Sequence, residues 1–372
     1  MMKVLISGGG TGGHIFPAVS IANAWREKYP DCEILFVGAE SRMEMERVPA
    51  AGYDIVGLPV RGFDRKHILK NVSVLVDLFK SMRKAKKIVN EFQPDVAVGV
   101  GGYASGAAMK VAARMGVPVL LQEQNGFAGV TNKLLKNDAK KICVAYEGME
   151  KFFSSDKIVL SGNPIRSIIR PCTPEMKEEG VREYGLDPSR KHIFIVGGSL
   201  GSSKLNKAVK KWICEGCEGI DGVDVLWQCG KYYKEGVDAF MKEQEEKGAG
   251  NLGHIHHSDF IGKMDLAYAA ADVVVSRSGA SSVSELCVAR KAVVFVPSPN
   301  VAEDHQTHNA MALVDKGAAM IVKDEDAEEK MIPTALELLG DDPRRASLEE
   351  NIGKLALPDA ALTIAREVYE LV

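Results

Sequence analysis

Short apolar runs rich in β-branched residues alternate along this chain with longer stretches whose apolar residues recur every three or four positions. The first pattern is typical of buried strands and the second of helices. The predicted strands lie at residues 4–7, 33–37, 96–100, 117–121, 141–144, 158–160, 192–196, 224–228, 273–276, 292–296 and 319–322. The predicted helices lie at residues 16–28, 69–92, 105–115, 204–215 and 281–289. Because strands that alternate with helices form parallel sheets covered on both faces, the pattern predicts an α/β protein.

Two segments, one in each half of the chain, run from a strand through a glycine-rich turn into a helix. They lie at residues 6–14 and 195–202, and each opens a new series of strands and helices. We therefore expect two Rossmann-like, doubly wound parallel-sheet domains that face a cleft, over residues 1–163 and 164–344. Residues 345–372 are predicted as a terminal helix, a candidate to pack back on the first domain.

Composition supports an ordinary globular protein. The chain has 372 residues, enough for two domains at roughly 150 residues each. Hydrophobic residues make up 46%, which excludes a wholly disordered chain. A net charge of −3 and only 6% aromatic residues argue against a nucleic-acid partner. No membrane span or secretory signal is evident, and the odd count of 7 cysteines favours reduced thiols, so we expect a cytoplasmic protein.

The glycine turns indicate where chemistry takes place. Glycine lets backbone N–H groups and a helix N-terminus approach an anion. Neither turn ends in Gly-Lys-Ser/Thr, so neither is a P-loop. Three further polar segments, at residues 98–106, 122–129 and 276–285, also follow predicted strands. Because the carboxyl ends of parallel strands share one sheet edge, these five loops in two facing domains predict a ligand cleft between the domains.

The loops together resemble the MurG family of N-acetylglucosaminyltransferases, which convert lipid I to lipid II in peptidoglycan synthesis. The matching segments are Gly9-Gly10-Thr11-Gly12-Gly13-His14, Gly101-Gly102-Tyr103-Ala104-Ser105, Glu123-Gln124-Asn125, Gly162-Asn163-Pro164-Ile165-Arg166, Gly197-Gly198-Ser199, Phe260-Ile261, Arg277-Ser278-Gly279-Ala280 with Glu285, and Asp304-His305-Gln306 with Asn309. The resemblance implies a GT-B type fold, with UDP-GlcNAc bound by the second domain and an undecaprenyl-diphosphate-linked acceptor by the first. It implies an inverting transfer to the MurNAc 4-hydroxyl without a metal or other cofactor. The chain departs from the family at Gln122, where His is usual, and at Ser202, where Ala is usual.

The resemblance also implies roles for particular residues. His14 is the leading candidate for the catalytic base, because imidazole titrates near neutral pH. Glu123 is the alternative base or a residue that holds the acceptor. Glu285 is expected to accept the ribose hydroxyls and Ile261 to meet the uracil. The other expected substrate-binding residues are Thr11, Gly12 and Gly13 on the donor, Tyr103 and Ser105, Asn125 and Gln306 on the sugar, Arg166 near the nucleotide, Ser199, Ala280, Ser281 and Ser282 at the diphosphate, and Val283, Ser284 and Asn309.

Two other patterns have simpler interpretations. Cys214-x-x-Cys217 lacks nearby zinc ligands, so helix cysteines are favoured over a metal or redox site. His254, His256 and His257 resemble a metal-binding tract, but neighbouring residues on a strand point to opposite faces. We therefore predict no metal site.

Residues 61–91 combine basic and apolar side chains. The basic residues are Arg61, Arg65, Lys66, Lys70, Lys80, Arg83, Lys84, Lys86 and Lys87. One interpretation is an amphipathic helix with a solvated basic face. The other is docking on an anionic membrane, which a lipid-linked acceptor would require. We therefore predict a peripheral protein at the cytoplasmic face of the cell membrane.

Three alternative functions remain open at this point. The first is another GT-B glycosyltransferase, acting on an acceptor such as diacylglycerol or a small molecule. The second is a UDP-GlcNAc epimerase of similar two-domain design. The third is a nucleotide-binding module without catalysis, which would leave the acceptor-side loops without a purpose.

Overall fold

A computed structural model describes residues 1–61, 71–198 and 200–372, which form two compact units. The first unit is Met1–Ile165 with Leu357–Val372, and the second is Arg166–Ala356. The sequence placed this boundary after Asn163, two residues earlier. The side chains of residues 71–73, 75 and 302 are outside the description.

Each unit contains one sheet in which every pair of neighbouring strands is parallel. The strands are β1 Met2–Ser7, β2 Cys32–Ala39, β3 Asp54–Leu58, β4 Val96–Gly99, β5 Val119–Glu123, β6 Lys141–Val144, β7 Ile158–Leu160, β8 Lys191–Val196, β9 Val223–Gln228, β10 Ile255–Ser258, β11 Val273–Ser276, β12 Val293–Phe295 and β13 Met320–Ile321. The sheet orders are β3-β2-β1-β4-β5-β6-β7 and β10-β9-β8-β11-β12-β13. The predicted doubly wound α/β architecture is confirmed.

The α-helices cover the faces of the two sheets. They are α1 Gly12–Lys28, α2 Glu44–Ala50, α3 Asn71–Phe92, α4 Tyr103–Arg114, α5 Val130–Leu135, α6 Pro174–Glu183, α7 Ser203–Cys214, α8 Lys234–Glu246, α9 Met264–Ala270, α10 Ala280–Ala289, α11 His305–Val314, α12 Ala327–Gly340, α13 Asp342–Lys354 and α14 Ala360–Tyr369. None of the helices in the described ranges is long and apolar enough to cross a membrane.

Both sheets are covered on two faces because successive strand residues point in opposite directions. In β1, Leu5 packs in the core beneath α3 and α4, whereas Val4 and Ile6 pack with Trp25 of α1. In the second unit, residues of β8 face α7 and α12 on one side. On the other side, Phe194 lies edge-on to Tyr268 of α9, with ring centroids 6.0 Å apart. Because these strands are continuously apolar, they could be predicted from the sequence pattern.

The terminal stretch 345–372 is two helices in different units, so the prediction of one helix is wrong. Helix α13 belongs to the second unit, and α14 belongs to the first. The break lies at Leu357-Pro358, because a residue before proline avoids the helical conformation. Helix α14 packs on α1, where Tyr369 stacks on Tyr29 with centroids 4.7 Å apart.

The sheet topology fixes where ligands can bind in each unit. Strand order reverses at β1/β4 in the first sheet and at β8/β11 in the second. Ligands of open α/β sheets bind outside the carboxyl ends of the strands at such reversal points. The glycine turns after β1, β4 and β8 and the polar loop after β11 all lie at these points.

Candidate active site

The two glycine turns of the first unit touch each other. Gly9 N–H donates to the Gly101 carbonyl at 3.3 Å. A Cβ atom on Gly102 would lie 2.4 Å from the Gly9 carbonyl oxygen, and Gly102 has a φ of +90°. Only glycine fits at Gly102, since a side chain would both collide and be strained. The turn after β1 and the turn after β4 therefore form one backbone platform.

His14 lies on this platform, in the first turn of α1. A Cβ atom on Gly101 would lie 2.8 Å from His14 Nε2, so the imidazole packs directly over that glycine. The side chain is half-buried, while Thr11 and Gly13 beside it are exposed. Thr11 is the N-cap of α1, and its side chain makes no capping hydrogen bond. The position leaves a titratable ring at the ligand-binding edge of the sheet.

Glu123 ends β5 and is buried, with 1% of its surface exposed. Its Oε1 accepts hydrogen bonds from the backbone and side-chain nitrogens of Asn125, at 3.1 and 3.3 Å. Its Oε2 accepts from Gly129 N at 2.9 Å and Asn132 Nδ2 at 2.9 Å. Since four donors occupy the carboxylate, its role in this structure is to hold the loop after β5 and orient Asn125. Its alternative role as the base stays a prediction.

Burial raises the pKa of the Glu123 carboxyl, and the hydrogen bonds from Gly129, Asn132 and Asn125 lower it only in part. Because its pKa is higher in the folded chain than in the unfolded chain, its contribution to stability is full at pH below the unfolded value. That contribution is lost as the pH rises through the folded value. We expect the unfolding free energy of wild type to decline relative to Glu123→Gln as the pH rises above about 4.3, the ordinary pKa of a glutamate side chain.

This prediction can be measured by urea denaturation of 5-fluorotryptophan-labelled protein. Trp25 is the single tryptophan of the first unit, so its ¹⁹F resonance reports that unit alone. Glu150→Gln, an exposed change in the same unit, serves as the control and should leave the slope unchanged. If the difference in unfolding free energy between wild type and Glu123→Gln did not change with pH, the raised pKa of Glu123 would be contradicted.

A buried amide network supports the same loop from below. Gln122 Nε2 donates to Asn163 Oδ1 at 3.0 Å, and Asn163 Nδ2 donates to the Gln124 carbonyl at 2.9 Å. Gln124 Nε2 donates to the Val100 carbonyl at 2.8 Å and also contacts Gln122 Oε1. The departure from His at Gln122 is thus accommodated by amide pairing. The network ties the loop after β5 to the turn after β4.

Two other residues predicted in this unit differ in accessibility. Tyr103, at the start of α4, is 55% exposed and available to a ligand. Ser105 is fully buried, and its hydroxyl oxygen would lie 2.9 Å from a Cβ atom on Gly99. Ser105 is thus buried in this structure, and its contact with a substrate stays a prediction.

In the second unit, the loops at the β8/β11 reversal enclose a pocket of about 490 Å³. Its lining residues are Gly197, Gly198, Gly201, Ser202, Ser203, Lys204, Lys207, Tyr233, Arg277, Gly279, Ser282, Ser298, Asn300, Gln306 and Asp324. Lys204, Lys207, Tyr233 and Asn300 were not predicted from the sequence. Lys204 and Lys207 are spaced one helical turn apart after the glycine turn, and that spacing was the signal available.

Arg277 holds the loops around this pocket together. Its guanidinium donates to Ser202 Oγ at 2.7 Å, to the Val296 carbonyl at 2.8 Å and to Asp324 Oδ1 at 2.6 Å. Ser202 is also the N-cap of α7, where its Oγ accepts from Leu205 N at 3.3 Å. The hydroxyl of Ser202, where the family usually has Ala, thus gains two partners. A planar, multiply bonded arginine fixes such a junction better than a lysine would.

Glu285 of α10 is buried and forms a bidentate ion pair with Arg166. Arg166 Nε and Nη2 lie 2.7 and 2.6 Å from the two carboxylate oxygens. The Tyr268 hydroxyl donates to the same carboxylate at 3.3 Å. Burial, followed by the charge of Glu285, raises the pKa of Tyr268 well above its usual value, so the phenol stays protonated. The predicted ribose-binding carboxylate and the predicted nucleotide-side arginine therefore lie together.

The remaining predicted donor residues surround the start of α10 and α11. Gln306 Oε1 accepts from Ser298 N at 2.8 Å, and its carbonyl accepts from Ser278 Oγ at 2.8 Å. The half-buried residues are Ala280, Ser281, Ser282 and Ser284, and the buried ones are Val283 and Asn309. Ile261 is buried, while the neighbouring Phe260 is 59% exposed. Ser199 lies outside the described residues.

The histidine and cysteine patterns lie away from this pocket. His254 pairs with Asp224 at 3.0 Å, whereas His257 pairs with Asp238 at 2.8 Å. Cys214 ends α7 and is exposed, and Cys217 is buried. Within residues 1–61, 71–198 and 200–372, no group of three or more His, Cys, Asp or Glu side chains could hold a metal ion. That the reaction needs no metal stays a prediction.

Comparison with known proteins follows the same division of the chain. Residues 4–144 match the glycosyltransferase family 28 N-terminal domain, and residues 192–364 match the family 28 C-terminal domain. A relative from Bacteroides thetaiotaomicron is 56% identical over 370 residues, which cover 100% of this chain and 98% of that protein. It is named UDP-N-acetylglucosamine–N-acetylmuramyl-(pentapeptide) pyrophosphoryl-undecaprenol N-acetylglucosamine transferase.

Several solved structures resemble nearly the whole chain, the following two among them. The crystal structure of Acinetobacter baumannii MurG has a TM-score of 0.80 at 26% identity and covers 100% of both chains. A UDP-N-acetylglucosamine 2-epimerase from Listeria monocytogenes has a TM-score of 0.67 at 12% identity, covering 99% of this chain and 96% of that one. The second likeness is one of fold alone.

Two parallel-sheet units, each with glycine turns at the reversal of its strand order, define the GT-B type of fold that glycosyltransferases use. The two halves of the family description match in order and cover most of the chain. The chain belongs to glycosyltransferase family 28.

Proposed function

We propose that this protein transfers N-acetylglucosamine from UDP-GlcNAc to the MurNAc 4-hydroxyl of undecaprenyl-diphospho-MurNAc-pentapeptide. The product is lipid II, the precursor for peptidoglycan synthesis. The observation that carries this proposal is 56% identity over the full chain with a protein named for that transfer. The half-buried His14 in the first unit and the polar pocket in the second supply the chemistry that it needs.

The reaction is a single displacement at the anomeric carbon of the donor sugar. The acceptor hydroxyl oxygen forms the new bond from the face opposite the diphosphate, and the bond from carbon to diphosphate oxygen breaks. His14 takes the hydroxyl proton, and UDP leaves with the electron pair. Inversion follows, because the α-linked donor is attacked once.

The second unit stabilises the leaving diphosphate without a resident metal. The glycine turn after β8 and the start of α10, which has no side-chain cap, line the pocket. Backbone N–H groups and the positive end of the helix dipole stabilise an anion there. Gln306 and Asn125 bind the sugar in this proposal, and Thr11, Gly12 and Gly13 contact the donor.

Acceptor-dependent UDP release tests the function. Purified protein is given UDP-GlcNAc with and without a short-chain analogue of the lipid-linked MurNAc-pentapeptide, and UDP is measured. Release only with the acceptor, together with a product one N-acetylglucosamine heavier, is expected. Turnover without any acceptor would instead indicate the epimerase alternative, and a diacylglycerol acceptor supporting equal turnover would indicate another glycosyltransferase.

We also propose peripheral attachment to the cytoplasmic face of the cell membrane through α3. Val76 and Phe79 are 49% and 62% exposed on this helix, and Lys80, Arg83 and Lys87 are exposed with them. The Arg83 guanidinium lies 5.8 Å from the Phe79 ring centroid. Apolar side chains among basic ones suit a surface of anionic lipid. Residues 62–70 of the predicted membrane segment lie outside the described residues.

Removing two of these basic groups should weaken membrane binding. Since each contributes about 1 kcal/mol near an anionic surface, Lys80→Gln with Arg83→Gln should lower partitioning about 30-fold. Sedimentation with vesicles of phosphatidylglycerol and phosphatidylcholine at low salt measures this. The control is Lys242→Gln with Lys247→Gln, two exposed changes on α8 and at the residue that follows it. Equal binding by both double variants would rule out α3 as the docking face.

A further inference from the structure

Glu44, the first residue of α2, is completely buried beneath the turn after β1. Its Oε2 accepts a hydrogen bond from Gly10 N at 3.0 Å, and its Oε1 accepts one from Ala39 N at 2.9 Å. One carboxylate thus joins the end of β2 to the glycine turn that precedes α1. Nothing in the motif pattern pointed to this residue.

The backbone around Glu44 is shaped to admit its side chain. A Cβ atom on Gly9 would lie 2.1 Å from Glu44 Oε1, and one on Gly38 would lie 2.6 Å from Glu44 Cγ. Both separations are below any tolerable contact between heavy atoms. The glycine at each position therefore provides room for the carboxylate rather than for a ligand.

The carboxylate is costly to bury and is held by few groups. In the ranges that the structure describes, no Lys, Arg or His forms an ion pair with it, and its partners are the two amides. Those amides and the N-terminal end of the α2 dipole offset the desolvation of the charge. A glutamine would direct its NH₂ group at one of the two N–H donors, so one bond would be lost.

The same bond changes what the glycine turn can do. Gly10 N–H is already occupied by an anion of the protein itself, so it is not free for a substrate phosphate. The turn instead helps to fix the position of His14. Gly9 N–H donates to the Gly101 carbonyl at 3.3 Å, and Gly101 lies directly under the imidazole of His14. Glu44 is thereby connected to His14 through two backbone contacts.

We propose that Glu44 is a positioning residue for the transfer reaction, whose carboxylate fixes the turn after β1 and thereby the place of His14 over Gly101. The inference rests on the proposed function, since it assigns the proton transfer to His14. It concerns the rate of the chemical step and not the binding of UDP, because the donor pocket is lined by residues of the second unit.

The test compares Glu44→Gln with wild type in acceptor-dependent turnover and in UDP binding by calorimetry. We expect kcat to fall about 10- to 100-fold, the effect of a displacement near 1 Å, with the UDP Kd and the acceptor KM within about twofold. Glu46→Gln is the matched control, because Glu46 lies two residues away on α2 and is exposed. It should behave as wild type.

A double-mutant cycle separates positioning from general damage. In a His14→Ala background, Glu44→Gln should cause no further loss of kcat, since the group it positions is gone. Glu44→Asp keeps the charge but withdraws it by one methylene, and it should lose kcat as Glu44→Gln does. The proposal would be overturned if the losses of kcat caused by Glu44→Gln and His14→Ala multiplied in the double variant. Wild-type turnover by both Glu44→Gln and Glu44→Asp would also overturn it, as would loss of UDP binding by both. Wild-type protein that shows no acceptor-dependent turnover would instead refute the proposed function.

Discussion

Replacement of His14 by Ala should lower kcat about 10²- to 10⁴-fold and leave UDP affinity unchanged. The physical reason is that the acceptor hydroxyl must lose its proton as the new bond forms, and His14 is the half-buried titratable ring on the glycine platform of the first unit. UDP affinity should be spared because the pocket proposed for UDP is lined by second-unit residues. Steady-state turnover and calorimetric UDP titration measure the two quantities separately.

Chemical rescue gives a second measurement of the same prediction. The Ala variant leaves a space over Gly101, so added imidazole should restore part of the rate, whereas the wild type should not respond. His254→Ala, a change beside Asp224 and away from the pocket, is the control for loss of a histidine. Near-normal turnover by His14→Ala would transfer the role of base to Glu123.

Replacement of Glu285 by Ala should weaken UDP binding about 10²-fold. A buried carboxylate that accepts two ribose hydroxyls contributes charge-assisted hydrogen bonds of about 1.5 to 3 kcal/mol each. Part of this is offset, because the carboxylate must share or exchange its bidentate bonds with Arg166 when ribose binds. The variant also leaves Arg166 and the Tyr268 hydroxyl without their acceptor.

A modified ligand distinguishes ribose recognition from a general loss of the pocket. Wild type should bind UDP more tightly than 2′-deoxy-UDP, and Glu285→Ala should bind the two about equally, as calorimetry can show. Glu246→Ala, an exposed change on α8, should keep the wild-type preference. If Glu285→Ala still discriminated the two nucleotides as wild type does, the ribose contact would have to be assigned elsewhere.

The sequence predicted every interior strand of the two sheets and also the edge strands β7 and β13. It missed β3 and β10, which are edge strands at the ends of the two sheets. β3 begins with Asp54 and contains Gly57, and β10 contains His256 and His257, so neither has the continuous apolar run that predicted the other strands. Central strands such as β1 and β8 are buried on both faces and are therefore mostly apolar, so the sequence pattern predicted them.

The candidate site divides in a similar way. The resemblance identified residues within contiguous motifs, such as His14 and Glu285, because each turn from strand to helix is local in sequence. It did not identify the partners that hold those motifs. Arg277 reaches Ser202 across 75 positions, and Glu44 reaches Gly10 across 34. Pairs so distant in sequence meet only once the sheet has brought their strands together.

The sequence by itself therefore determined the α/β class, the two-unit division and the position of the turns at which we expect ligands to bind. These depend on local periodicity and on glycine, whose conformational range can be recognised from a few residues. Only the tertiary structure decided what those turns are attached to. It showed Glu123 engaged with four donors, Arg166 on Glu285, and a buried carboxylate under the first glycine turn. The physical reason is that a buried polar group must find its partner wherever the fold places one, and sequence separation does not limit that choice.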